Sequence, residues 1–83
     1  LTANGCVLVD FFAEWCGPCK IMGEILETVD ADILKVNTDE FPNLAQKFGV
    51  MSIPTLILFK DGSETNKMIG LQSKEEILNF INK

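Results

Sequence analysis

Apolar runs alternate along this chain with segments of helical periodicity. Residues 6–13 are almost all apolar, β-branched or aromatic, which is typical of a strand covered on both faces. From Gly17 the period changes and predicts a helix that ends near Asp30. One stripe of this helix is apolar and is expected to be buried; it consists of Ile21, Met22, Ile25, Leu26 and Val29. The first third of the chain therefore predicts a strand followed by an amphipathic helix.

Two shorter elements are predicted in the middle of the chain. Residues 33–36 form a short apolar run that indicates a second strand. Residues 41–48 have the pattern of a short helix, with Pro42 tolerated in its first turn. Gly49 suits the position just past the end of that helix.

The last third predicts a hairpin and a final helix. Residues 55–59 and 65–69 flank Asp61–Gly62, a strong turn signal between antiparallel strands. Ser73 and Glu76 have the spacing of a capping box, which marks the start of a helix. We expect that helix to bury its apolar residues, which are Ile77, Leu78, Phe80 and Ile81.

The predicted element order is β-α-β-α-β-β-α. A strand–helix–strand unit favours parallel pairing through a right-handed crossover, whereas a hairpin pairs its strands antiparallel. We therefore predict an α/β fold with a four-stranded mixed sheet and helices on both faces. A chain of 83 residues is expected to form a single domain, residues 1–83, and it contains no repeat or linker.

Composition and charge narrow the function. Hydrophobic residues make up 47% of the chain and charged residues 23%, which is an ordinary globular balance. The net charge is −5, and this acidity argues against a nucleic-acid partner, which needs a clustered basic surface. The chain has no His, so it lacks the usual general base and the commonest metal ligand. Its chemistry must use thiols, carboxylates and lysines.

The cellular location is predicted from apolar segments and from the cysteine count. No stretch approaches the roughly 20 apolar residues of a membrane helix, and there is no basic-then-apolar leader, so we expect no membrane association. Three cysteines are an odd count and too few for a disulfide-stapled scaffold. We therefore expect a reducing compartment, the cytoplasm. The chain begins with Leu1 rather than Met, which leaves open that an upstream segment has been trimmed.

The chemistry is concentrated in Cys16-Gly17-Pro18-Cys19, at the join of the first strand and helix. Residues i and i+3 of a helix have Cβ atoms about 5–6 Å apart, so a modest adjustment allows a disulfide. Cys16 is expected at the exposed helix N-terminus, where the dipole favours a thiolate, helped by the Cys19 thiol or amide. Cys16 would attack a target disulfide and Cys19, one turn deeper, would resolve the mixed disulfide. The alternative, half of a zinc site, lacks ligands, since only Cys6 remains.

Residues 9–20, VDFFAEWCGPCK, resemble the active-site signature of the thioredoxin family. Residues 52–55, SIPT, resemble its second loop, and Gly70 matches the glycine after its hairpin. The resemblance extends from about Asn4 to the C-terminus. It implies the thioredoxin fold and a protein-disulfide reductase that is an electron carrier and an expected monomer. The implied partners are thioredoxin reductase and disulfide-containing target proteins, with no metal and no bound cofactor beyond the Cys16–Cys19 disulfide.

The resemblance also assigns roles to supporting residues. Asp10 would be the acid–base group that handles the Cys19 proton, and its apolar neighbours should raise its pKa. The alternative is a strand-end carboxylate in water. Lys35 would pair with Asp10, or would be an ordinary solvated strand lysine. The Ile53–Pro54 bond is expected to be cis, beside the dithiol, although most X–Pro bonds are trans.

A flat apolar rim for docking an extended substrate segment is implied by the same resemblance. Its expected members are Trp15, Gly17, Pro18, Ser52, Ile53, Pro54, Gly70 and Leu71. Trp15 could instead belong to the core, but its loop position favours the rim. Cys6 is expected to be a small buried hydrophobe far from the dithiol, or else a regulatory or dimer-forming thiol.

The chain departs from the family pattern in three places. Phe12 stands where many members have a second tryptophan. Gly23 and Glu24 replace the alanine and proline that usually kink the first helix, so we expect a softer helix there. The family's N-terminal strand and helix are missing, either because the fold is minimal or because that part was lost.

Other functions are open alternatives. An oxidase or isomerase of an oxidising compartment is disfavoured because the residues between the cysteines are Gly-Pro and include no His. The Trp-Cys-Gly-Pro context disfavours a glutaredoxin. A binding module that holds a partner without turnover remains open, although both cysteines and Asp10 are retained.

Overall fold

The computed structural model describes residues 6–82 and contains the seven predicted elements in the predicted order. They are β1 (Cys6–Phe12), α1 (Gly17–Glu27), β2 (Ile33–Asn37), α2 (Pro42–Lys47), β3 (Thr55–Lys60), β4 (Ser63–Ile69) and α3 (Lys74–Ile81). The start of the family resemblance near Asn4 and the chain start at Leu1 lie outside the described residues. The element prediction is confirmed, with small shifts at the ends.

The four strands form one mixed sheet in the order β2-β1-β3-β4. β1 runs parallel to β2 and antiparallel to β3, and β4 pairs antiparallel with β3. The continuously apolar β1 therefore occupies a central position, while the polar β4 forms one edge. The predicted fold class is confirmed.

Helices cover both faces of this sheet. One face packs against α1 and α3, and its buried cluster includes Leu8, Met22, Leu26, Leu56, Ile77 and Phe80. The other face packs against α2, and its buried cluster is Val9, Phe11, Val36, Ala45 and Ile57. Side chains alternate between the faces of a strand, so Asp10 points to the same side as Leu8, toward α1. This alternation places a carboxylate behind the first helix.

Two apolar residues that we expected to be buried are exposed. Ile21 is 50% exposed, and Leu78 is also exposed. Ile21 directly precedes the fully buried Met22, and Leu78 directly follows the fully buried Ile77. One step along a helix turns the direction of a side chain by about 100°. Because each helix contacts the sheet on one side only, that rotation carries the neighbour out of the interface. The predicted apolar stripes were too wide.

The helix ends are determined by local hydrogen bonds. α3 begins with the predicted capping box, in which the Glu76 amide donates to Ser73 Oγ at 3.2 Å and the Ser73 amide donates to Glu76 Oε1 at 3.4 Å. α1 ends three residues before Asp30, at Glu27. There the Thr28 hydroxyl donates to the carbonyl of Ile25 at 2.7 Å. This side-chain bond closes the helix earlier than its apolar periodicity indicated.

The end of α2 is connected to the opposite edge of the sheet. Gly49 has φ +68°, and its amide donates to Gln46 O while the next amide, of Val50, donates to Ala45 O. This is the Schellman pattern, which favours glycine because φ is positive. The carbonyl of Phe48, the residue after α2, accepts a hydrogen bond from Lys67 Nζ of β4 at 2.7 Å. The predicted role of Gly49 is confirmed, and Lys67 joins two elements distant in sequence.

Replacing Lys67 with methionine is expected to lower the free energy of unfolding by about 1–2 kcal/mol, because a charge-assisted hydrogen bond at a helix C-terminus is lost. Urea denaturation measures the change. Glu64→Gln is the control, since the Lys67–Glu64 ion pair is 4.0 Å long and partly exposed. An equal loss in both variants would show that the ion pair, not the Phe48 carbonyl, carries the effect.

Candidate active site

The two cysteines lie where β1 passes into α1. Cys16 is the N-cap of α1, with φ −90° and ψ 110°, and Pro18 occupies the first turn. Cys16 and Cys19 form a disulfide, with their Cα atoms 5.2 Å apart. Pro18 has no amide to lose in a turn whose amides have no helical partner, so it is compatible with the helix start. The predicted i, i+3 pairing is present.

The first turn of α1 directs a hydrogen-bond donor at the Cys16 sulfur. The Cys19 amide donates to Cys16 Sγ at 3.2 Å. Cys16 Sγ also lies 3.9 Å from the carbonyl oxygen of Ile53. An amide aimed at sulfur stabilises negative charge there and adds to the helix dipole. The expected help from Cys19 comes from its backbone amide.

The expected difference in exposure between the cysteines is wrong for the disulfide form. Cys16 is 5% exposed and Cys19 4%, and both pack with Ala13, Phe12 and Ile53. Cys16 is covered because the loop that contains Ile53 approaches it from another part of the chain. The two cysteines differ instead in the cavities that they border, because Cys16 borders one depression and Cys19 another.

The depression beside Cys16, here called the Cys16 groove, has a volume of about 560 Å³. Five residues predicted for the docking rim line it together with Cys16, namely Trp15, Gly17, Pro18, Ser52 and Ile53. Trp15 is 72% exposed, so the core alternative for this residue is wrong. A mostly apolar, open groove beside a reactive sulfur suits an extended segment of another protein.

The loop before β3 forms one wall of this groove. The Ile53–Pro54 bond is cis, as expected, but Pro54 is buried and does not line the groove, although it was predicted for the docking rim. The Gly70 amide donates to the carbonyl of Pro54 at 2.8 Å, and Gly70 has φ +89°, a conformation that favours glycine. In the described part of the chain, residues 6–82, neither Gly70 nor the exposed Leu71 lines the Cys16 groove. Gly70 instead supports the loop from behind.

Several groove residues were missed by sequence reasoning. They are Thr38, Ala45, Val50 and Met51. Met51 is 97% exposed, and its position directly before Ser52 in the sequence was a signal that could have found it. Asp39 accepts a hydrogen bond from Trp15 Nε1 at 2.8 Å and so orients the indole. No local pattern pointed to Asp39, because the two residues are 24 positions apart.

A second depression, the Cys19 cleft, lies on the α1 side of the sheet and has a volume of about 510 Å³. Its lining includes Phe12, Cys19, Gly23 and Lys35. Four further charged residues line it as well, namely Glu14, Lys20, Glu24 and Glu27. The resolving cysteine therefore borders a charged cleft, whereas Cys16 borders an apolar groove.

Asp10 is a completely buried carboxylate behind this cleft. Its exposed fraction is 0%, and neither carboxylate oxygen has a hydrogen-bond partner within residues 6–82. Burial raises the pKa of Asp10 from its ordinary 3.8 to about 6, although the positive charge of Lys35 acts to lower it. The alternative of a strand-end carboxylate in water is wrong. A carboxyl group with this pKa can exchange protons near neutrality.

Lys35 acts on Asp10 through space. The two residues face each other in the β1–β2 register, but Lys35 is exposed and donates no hydrogen bond to the carboxylate in the described part of the chain. Its ammonium lies 5.2 Å from the centre of the Phe12 ring. The implied pairing is thus electrostatic rather than a contact ion pair, because the carboxylate is buried and the ammonium stays near solvent.

The remaining predictions concern metals, membranes and Cys6. Within residues 6–82 no three His, Cys, Asp or Glu side chains are grouped to hold a metal ion. No helix of that part is long and apolar enough to cross a membrane. Cys6 is half-buried rather than buried, and it begins β1, whereas the disulfide follows the other end of the strand.

A disulfide between positions i and i+3 at a helix start, open to a groove for an extended chain, is the reactive group of thiol–disulfide oxidoreductases. The sequence model of the family described as Thioredoxin matches residues 1–83. The chain is 51% identical to a thioredoxin of Chlamydia caviae, over 96% of this chain and 83% of that protein. It is 54% identical to a thioredoxin of Chlamydia pneumoniae, over 98% and 84%.

Solved structures agree with the sequence comparisons. A mutant thioredoxin from Halobacterium salinarum superimposes with a TM-score of 0.88 and 38% identity, covering 95% of this chain and 74% of that one. Oxidised mitochondrial thioredoxin 3 from Saccharomyces cerevisiae gives 0.87 and 34%, covering 96% and 79%. The chain belongs to the thioredoxin family, and it is a protein-disulfide oxidoreductase with Cys16 and Cys19 as its redox pair.

Proposed function

We propose that this protein reduces disulfides of other proteins, with Cys16 as the attacking thiolate and Cys19 as the resolving thiol. The observation that carries the assignment is the Cys19 amide directed at Cys16 Sγ on the border of the Cys16 groove. A thiolate at this sulfur is stabilised before a target arrives. Cys19 borders the other cavity, so a target lying in the groove meets Cys16 first.

The first chemical step forms a mixed disulfide. The Cys16 thiolate attacks one sulfur of the target disulfide, a bond forms between the two sulfurs, and the other target sulfur leaves as a thiolate. Trp15 and Ile53 would hold the target segment on either side of the reacting sulfur, since both line the groove. The carbonyl of Ile53, which lies 3.9 Å from Cys16 Sγ, would accept a hydrogen bond from an amide of an extended segment and so orient the target.

The second step releases the reduced target. The Cys19 thiol gives its proton through water to the Asp10 carboxylate, and the resulting thiolate attacks Cys16 Sγ and breaks the mixed disulfide. The second target sulfur leaves as a thiolate and takes up a proton. Two electrons have then passed from the dithiol to the target, and the protein holds the Cys16–Cys19 disulfide. The raised pKa of Asp10, about 6, supports its role as the proton acceptor.

The proposal includes partners and a location. A thioredoxin reductase would return the disulfide to the dithiol, and disulfide-containing proteins would be the electron acceptors. We place this cycle in the cytoplasm, because a reducing couple needs a compartment in which its electron supply is maintained. The protein itself contributes the disulfide and needs no further bound group for these steps.

A trapping experiment tests the order of attack. In Cys19→Ser the mixed disulfide cannot be resolved, so target proteins are expected to accumulate as adducts of Cys16 that a reductant releases. Denaturing gels without reductant, followed by mass spectrometry, identify the linked cysteine. Cys16→Ser/Cys19→Ser is the control and should give no adduct. The absence of adducts on Cys19→Ser, with no reduction of a generic disulfide protein by the unmodified chain, would favour a binding module instead.

A further inference from the structure

A glycine in the middle of α1 has no role in the cycle described so far. Gly23 lies in the interior of the helix, where glycine is less favourable than alanine. It has no positive φ that would require glycine. A Cβ atom at this position would lie 3.4 Å from Lys35 Nζ, and this is the contact that the missing side chain leaves open. The Lys35 ammonium is thus the group for which the missing side chain of Gly23 leaves room, and a side chain larger than a methyl would meet it.

The Lys35 side chain reaches this point from the edge of the sheet. β2 is an edge strand, and Lys35 stands opposite Asp10 in the register, so both point to the α1 face. The ammonium lies over the Phe12 ring, 5.2 Å from its centre, within the range of a cation–π interaction. It thus lies between an aromatic ring of β1 and the bare backbone of α1 at Gly23, inside the Cys19 cleft.

We propose that Gly23 is a positioning residue for the resolving step. By having no side chain, it lets the Lys35 ammonium lie between the Phe12 ring and α1, where the positive charge favours the ionised form of Asp10. The inference rests on the proposed function, which assigns to the Asp10 carboxylate the proton of Cys19. A side chain at position 23 that is larger than a methyl group would push the ammonium out of the cleft or exclude water from it.

The other groups around Asp10 do not replace Lys35. The Cys19 cleft contains one more cation, Lys20, and three carboxylates, which are Glu14, Glu24 and Glu27. The remaining elements packed on this face contribute apolar residues to it, Leu56 from β3 and Ile77 and Phe80 from α3. Lys35 is the charge that lowers the pKa of Asp10 against the effect of burial. Moving this one ammonium should therefore be visible at Asp10.

The test is a double-mutant cycle read at Asp10. Gly23→Ala and Gly23→Leu are each made with Lys35 present and in the Lys35→Met background, and the Asp10 carboxyl carbon is titrated by NMR. Both replacements favour a helix, so the variants should fold and melt no lower than the unmodified protein. The alanine methyl group only reaches the edge of contact with the Lys35 ammonium, so we expect Gly23→Ala to raise the Asp10 pKa slightly. The leucine side chain would occupy the place of the ammonium, so we expect Gly23→Leu to raise the Asp10 pKa more.

The comparison between backgrounds decides the result. We expect the shift to be clearly larger with Lys35 present than in the Lys35→Met background, where what remains measures the water that leucine excludes. Equal shifts in the two backgrounds, or no shift in either, would overturn the inference. The rate at which Cys19 resolves a preformed mixed disulfide on Cys16 is a second readout. It is expected to fall roughly two- to threefold for Gly23→Leu at pH 6, where the Asp10 carboxyl is about half ionised and its ionised fraction responds strongly to a change of pKa.

The second readout separates this inference from the proposed function. If the Asp10 titration moves as expected while the resolving rate stays unchanged, Gly23 does position Lys35, and the proton step assigned to Asp10 is wrong. If the rate falls while the Asp10 titration stays unchanged, the inference is wrong and leucine acts on the cleft by blocking it.

Discussion

Replacing Asp10 with asparagine is expected to make the protein more stable at pH 7, by up to about 3 kcal/mol. In the folded protein the pKa of Asp10 is raised to about 6, against 3.8 when exposed. Well below pH 3.8 the carboxyl is protonated in both the folded and the unfolded state and costs no stability. As the pH rises to about 6 the unfolded state ionises first, so the free energy of unfolding falls, and the full cost is present at neutrality.

The asparagine removes this cost without opening a cavity. A protonated carboxyl and an amide have similar size, and each leaves buried polar atoms without partners, so the exchange adds no new desolvation penalty. Urea denaturation between pH 4 and 7 measures the effect. The unmodified protein should lose stability relative to Asp10→Asn as the pH rises through this window. If the free energy of unfolding had the same pH dependence in both proteins, the raised pKa of Asp10 would be contradicted.

An exposed carboxylate is the matched control. Asp30 lies between α1 and β2 and is exposed, so the stability of Asp30→Asn should stay close to that of the unmodified protein.

In the Asp10→Asn variant, attack by Cys19 on a mixed disulfide is expected to slow roughly 10- to 100-fold, at or below the lower end of general-base catalysis. A variant that is both more stable and slower supports Asp10 as a functional acid. A variant that is less stable and equally fast excludes that role.

Replacing Cys16 with serine is expected to abolish the reduction of disulfide proteins by this chain. The remaining rate should equal that of the chemical reductant without the protein. A serine hydroxyl has nearly the same size, so the N-cap can still accept the hydrogen bond of the Cys19 amide and the fold should survive. What is lost is the thiolate, which is the nucleophile in thiol–disulfide exchange. Insulin reduction, followed by turbidity with dithiothreitol as the electron source, measures this loss.

The chain supplies its own control for that result. Cys6→Ser makes the same chemical change at the far end of β1, away from both cavities. Its reductase rate should stay within about twofold of the unmodified protein, because thiol exchange depends on the attacking and resolving sulfurs. Activity retained in Cys16→Ser would mean that Cys19 can attack targets directly. That outcome would reverse the roles proposed for the two cysteines.

Prediction from sequence succeeded where a property depends on neighbouring residues. The capping box at Ser73, the glycine after α2 and the dithiol at the start of α1 are all local arrangements, and the structure contains each. Prediction failed for the exposure of Cys16, which a loop some 37 residues away covers. It also missed Asp39, which accepts a hydrogen bond from Trp15. These two residues are 24 positions apart, so no helical or strand periodicity connects them.

The sequence by itself determined the order of the elements, the family and the reactive pair, because hydrophobic periodicity, turn residues and the Cys-x-x-Cys spacing act over a few residues. The tertiary structure alone decided that Cys16 borders a groove and Cys19 a cleft. It also showed that Lys35 reaches Asp10 through space, between Phe12 and Gly23. These facts depend on the approach of separate segments across the sheet, and the distances that result determine how strongly charges and side chains interact.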